Sequence, residues 1–167
     1  MSRTIFLGFV LLSRALVAQP GQPSHAPRGL GAVTLETSCA PSARASFATG
    51  AALLHSFGFT GAVRSFNDVL AADSTCVMAY WGLALSAWGN PFAAGIIPNA
   101  QLARGLAAVD RGRAIKGGTE RERAYLDAVA KLYDDYRSAD QHTRVNAYRD
   151  AMADLAARYP RDDEASI

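Results

Sequence analysis

Cysteine is scarce in this chain: two residues in 167, Cys39 and Cys76, too far apart for a C-x-x-C redox or zinc motif and too few for a disulfide-stapled miniature fold. The usual catalytic constellations are absent as well. There is no pair of histidines four apart with a glutamate, no G-x-S-x-G elbow and no phosphate-cradling G-x-x-x-x-G-K. Gly29-Leu30-Gly31 lacks the flanking strand and helix that would make it a nucleotide loop. An excess of one charge is also missing. The formal net charge is +2, and Arg3 and Arg14 fall in a leader-like start, so the remainder balances fifteen basic against fifteen acidic residues. A general electrostatic attraction to nucleic acid or to an anionic membrane has no support in that balance. The longest apolar run near the start, residues 5–12, is far short of the roughly 20 residues of a membrane span.

What is present begins with an address. Arg3, the apolar run and the small residues Ala15 and Ala18 read as a signal peptide over residues 1–18, although Arg14 weakens its hydrophobic segment. The expected location is therefore outside the cytoplasm, periplasmic or extracellular. Residues 19–31 hold Pro20, Pro23, Pro27 and three glycines without apolar period, the composition of a linker. Ala32-Val33-Thr34-Leu35 alternates briefly and can lie extended on the first helix pair.

From there the chain is half apolar overall, rich in Ala and Leu, with Gly and Pro collected between periodic stretches, which favours packed helices. The spacing predicts three helix pairs, at about 41–73, 77–116 and 119–159. Gly50 advanced by 34 residues lands on Ala84, and around these small residues stand Leu53, Ala62 and Phe66 in the first unit and Tyr80 and Leu83 in the second. That is the period at which a small residue lets the two helices of a unit close on each other. Residues 77–88 are apolar nearly all round, as in a helix buried on both sides. The turn after it, residues 89–98, is nine residues longer than the repeat requires and carries Phe92, Ile96 and Ile97. Thr119 and Glu122 have capping-box spacing. The apolar face Tyr125, Val129, Leu132, Tyr136 then extends the fifth helix to about Tyr136. Residues 162–165 resemble the acidic first turn of a further helix, so the chain is expected to be a piece of a longer product, since a solenoid ends on a capping helix.

These residues carry a resemblance. Residues 53–57 (LLHSF), Ala62 with Phe66, 72–76 (ADSTC) and 78–84 (MAYWGLA) are similar to exported bacterial tetratricopeptide-repeat (TPR) proteins. The likeness is strong over 47–88 and moderate to the end. Ser46 stands where a large aromatic is usual and Ser74 where proline closes the unit. The resemblance implies an all-α, right-handed solenoid whose groove, lined by the first helix of each pair, binds a protein or peptide without catalysis or cofactor. In such an array Cys39 and Cys76 precede adjacent parallel helices, so a disulfide between them would clasp the first two units. Two free buried thiols are the alternative.

Thr49, Tyr80, Trp81, Trp88 and Tyr125 are the candidate groove residues, the rings as binding anchors or, more simply, as core. Among the histidines His55 sits in the repeat signature. A metal- or haem-binding protein centred on it is the competing class of function, against a structural histidine bonded at a helix turn. A third reading makes the chain the N-terminal repeat part of a larger enzyme. Asp134-Asp135 and the acids at 162–164 read as solvated turns and helix starts.

Overall fold

The computed structural model describes residues 29–31 and 33–166, which form six α-helices and no strand. The expected signal peptide and residues 19–28 of the expected linker, His25 included, lie outside the described residues. After a 3-10 turn at Pro41–Ala43 come α1 (Arg44–His55), α2 (Phe59–Ala72), α3 (Val77–Trp88), α4 (Asn99–Ala114), α5 (Glu120–Ala130) and α6 (Gln141–Arg158). A second 3-10 turn closes the described chain at Asp163–Ser166.

Local chemistry explains the helix ends. Pro41 occupies a first turn, where its missing N–H leaves no bond unmade. At the end of α1 the Phe57 amide donates to Leu54 O (3.1 Å) and the Gly58 amide to Leu53 O (2.8 Å), the paired bonds that satisfy the last carbonyls of a helix. Phe57 takes the left-handed conformation this requires (φ 58°), a position more often given to glycine, and its ring is left half exposed. At α5 both bonds of the capping box are made: Thr119 Oγ1 accepts from the Glu122 amide and Glu122 accepts from the Thr119 amide. The helix then stops sooner than its apolar period. From Lys131 to Tyr133 the amides bond three residues back instead of four, and Asp135 turns left-handed (φ 48°). Tyr133 rather than Tyr136 is thereby driven fully inside.

The core is organised on α3, which packs against α1, α2, α4 and α5, while α5 packs against α3, α4 and α6. Ser38, just before α1, bonds Glu122 in the first turn of α5, and Cys39 meets Cys76, just before α3. The starts of α1, α3 and α5 therefore lie at one end. At the other end Phe57 lies edge-on to Phe92, and Trp88 edge-on to Tyr133 (centroids 6.2 and 6.1 Å). These three helices run parallel, with α2 and α4 returning beside them. Glycine sets how closely they approach. The buried Phe66 ring of α2 lies between Gly50 and Gly82, where a Cβ would come within 2.9 and 2.3 Å of it.

The long turn at residues 89–98 leaves Phe92 and Ile96 more than four-fifths exposed. Ile97 packs partly against the core, and its amide is held by Gln141 Oε1 at 2.9 Å.

Candidate functional site

The residues expected to pack the repeat belong to the core. Gly50, Ala62, Phe66 and Ala84 are buried, and Leu53, Tyr80 and Leu83 are partly buried against the same core. The expected partner-binding set divides. Thr49 is half-buried and bonds back to Ala45 O (3.0 Å), and Tyr80 is half-buried with its hydroxyl turned to Ser74 O (3.5 Å). Trp81, Trp88 and Tyr125 are buried, so as candidate surface anchors they are corrected to core rings. Trp81 stacks edge-on to Tyr125 at 5.8 Å, and Trp88 is held between Tyr133 and the buried Arg144 guanidinium, 5.7 Å above its ring. Their bulk fills the space between α3 and the α5 side of the core, where large apolar area is stabilising.

Cys39 and Cys76 lie at disulfide distance, with their Cα atoms 4.8 Å apart, inside the ordinary range for a bridge. Both are buried. Asp73 steadies the junction. Its carboxylate accepts from the Ala40 amide (2.7 Å) and from the Thr75 amide and hydroxyl. These bonds, the Thr75 hydroxyl foremost, hold its pKa below the usual carboxylate value.

The most site-like feature is a cleft of about 700 Å³ between the extended segment 33–36 and the returning residues 158–164, with His55 and Arg121 in its walls. Arg121, in the first turn of α5, pairs with Asp162 at 2.6 Å and also donates to Glu36 O. His55, at the end of α1, places Nε2 2.9 Å from Glu164 Oε2. The two carboxylates are mostly shielded, their side chains 8% and 10% exposed. The buried Tyr125 hydroxyl faces both acids. Burial chiefly, and then the acids, push its pKa up. On α6, Tyr148 is pushed up to about 12 by burial and the Glu164 carboxylate.

The hydrogen bond to Glu164 raises the His55 pKa against an opposing desolvation, and the Glu164 charge raises it further. Its sign fixes a pH dependence. A histidine that binds its proton more tightly when folded contributes stability fully below its unfolded pKa, near 6.5, and loses that contribution as pH rises through the raised folded value. The urea midpoint of the wild type is therefore expected to exceed that of a His55→Gln variant at about pH 5.5, and the gap to shrink toward about pH 8.5. A gap that grows with pH would contradict the assignment.

Among the described residues no three His, Cys, Asp or Glu side chains converge in a way that could hold a metal ion, and no helix is long and apolar enough to cross a membrane. Two buried charges have no counterpart among the expected site residues. Glu122, inaccessible to solvent, accepts from the Ser38 amide and hydroxyl (both 2.6 Å) besides the cap, tying the segment before α1 to α5. Arg144 donates to Leu132 O, one of the carbonyls released where α5 ends. Capping-box spacing signals Glu122, but its second partner is 84 residues away. Comparison with family models, with curated proteins and with solved structures gives no match to the chain.

Proposed function

We propose that this chain is an exported, non-catalytic protein- or peptide-binding scaffold, folded as a TPR-like right-handed solenoid of three antiparallel helix pairs: α1 with α2, α3 with α4, α5 with α6. The observation that carries the reading is the packing order. Each first helix touches its own second helix, and α3 and α5 each lie against both helices of the preceding pair. A nearest-neighbour stack of this kind presents the parallel set α1, α3 and α5 as one continuous face. Export is supported by the leader-like residues and by the cysteine pair at disulfide distance.

The test is to pan a random heptapeptide display library on the purified, disulfide-intact chain and to map selected peptides by hydrogen exchange. Enriched peptides that protect amides of α1, α3 and α5 are the expected result. Failure to enrich any sequence, or protection confined to α2, α4 and α6, would overturn the groove reading.

A further inference from the structure

Residues 158–166 return from the end of α6 and, with the segment 33–36, wall the cleft that reaches the last turn of α1 and the first turn of α5. Two ion pairs fasten this return, and they lie on different helices at opposite ends of the parallel set. Asp162 joins Arg121 in the first turn of α5, and Glu164 joins His55 in the last turn of α1. Ala165 is buried just beyond them. The segment thus links α1 to α5, with carboxylates two residues apart meeting the Arg121 guanidinium and the His55 imidazole. Tyr125, wholly buried behind the wall, turns its hydroxyl toward both acids. A buried hydroxyl needs an acceptor, and a carboxylate at the Asp162 position can supply one.

Resting on the scaffold reading above, we infer that this cleft is a recognition site for an acidic peptide segment carrying two carboxylates at i and i+2, with Arg121, His55 and Tyr125 as its contacts and residues 162–164 as its occupant in cis. Charge complementarity is what selects this occupant. The two basic groups arrive from different helices, and each meets one of the two carboxylates. Both acids are shielded enough for pairing to be specific and not merely a screened surface contact. The tether also sets the terms of competition. A segment joined directly to α6 acts at an effective concentration on the order of millimolar, so an external ligand gains access once the cis pairs are weakened.

The experiment measures binding of a fluorescein-labelled peptide with the sequence of residues 160–166 to the full chain by anisotropy. Weak binding to the wild type is expected. At least tenfold tighter binding is expected to an Asp162→Asn/Glu164→Gln variant, whose cis segment has lost its charges. Adding Arg121→Ala or His55→Ala to that variant should remove the gain, and a peptide with Asn and Gln for its first Asp and its Glu should bind neither protein. Hydrogen exchange of residues 159–166 accompanies each variant, with circular dichroism as the check on folding. If the segment is released but the acidic peptide gains nothing, or gains equally without Arg121 and His55, the inference is overturned. It is overturned too if the segment stays fully protected in the double variant, because carboxylates then do not hold it. Peptides without acids selected by panning onto α1, α3 and α5, alongside a failed acidic peptide, would sink this inference and leave the scaffold reading standing.

Discussion

Replacing both Cys39 and Cys76 by serine is expected to lower the unfolding free energy by about 4 kcal/mol at most, and the melting temperature by about 10–15 °C. The figure comes from chain entropy. The cysteines are 37 residues apart, so the bridge closes a loop spanning all of α1 and α2, and an unfolded chain freed of it gains that conformational freedom. The folded state has other reasons to keep the junction. Asp73 holds the Ala40 amide and Glu122 holds Ser38, on either side of Cys39. The native arrangement should therefore survive reduction, with the loss appearing as stability and not as a changed fold. Thermal unfolding of the wild type with and without reductant, beside the double serine variant, checks this. The reduced protein and the variant should melt together, well below the oxidised protein. Intact mass adds a direct reading, since both thiols should become alkylated only after reduction. Alkylation of the unreduced protein, or identical melting with and without reductant, would remove the clasp and with it the strongest support for export.

The helical fold was legible where the sequence pattern is local. Residues 77–88 are apolar all round, and α3 occupies just those positions at the centre of the packing. Thr119 and Glu122 are spaced as a capping box and form one. The same all-round apolarity that revealed α3 hid which way its rings point, because a helix with apolar residues on every side gives no preferred face. Trp81 and Trp88 could thus be taken for anchors until neighbours covered them. The early end of α5 was hidden for another reason. The period of Tyr125, Val129, Leu132 and Tyr136 is genuine, but Tyr133 gains a hydrogen bond to Ala84 O (2.5 Å) on α3 by leaving helical register, a contact 49 residues away that no local period encodes.

The candidate site was hardest to read for a related reason. His55, Arg121, Asp162 and Glu164 share no spacing, and His55 and Glu164 are 109 residues apart. Solvated turns were the simplest meaning of the acids at 162–164 in isolation. Only the return of the chain over α1 and α5 gives Asp162 and Glu164 partners and shields them. The ion pairs are a property of the assembled face, and the local sequence shows just their separate halves.

Phe66→Ala is expected to cost about 3–5 kcal/mol, the range for truncating a buried aromatic ring. Phe66 should fall in the upper part of that range because of what surrounds it. Gly50 and Gly82 stand on its two sides and Phe47 lies edge-on at 5.8 Å, so two of the walls are helix backbone with no side chain free to swing into the void. The cavity can close only if α1 or α3 shifts, and α3 is fixed by packing against four other helices. The same geometry predicts a reversal of sign. In the wild type Gly82→Ala pushes a Cβ to 2.3 Å from the ring, an overpacking that costs about 1–3 kcal/mol and outweighs the better helix propensity of alanine, worth up to about 1 kcal/mol. In the Phe66→Ala background the ring is gone, the new methyl fills part of the cavity, and Gly82→Ala should stabilise. Urea unfolding of the two single variants and the double variant closes this cycle. A penalty for Gly82→Ala that persists unchanged without the Phe66 ring would mean that the close approach of α2 and α3 is not set by that contact, and the glycine-dependent packing of the first two helix pairs would have to be abandoned.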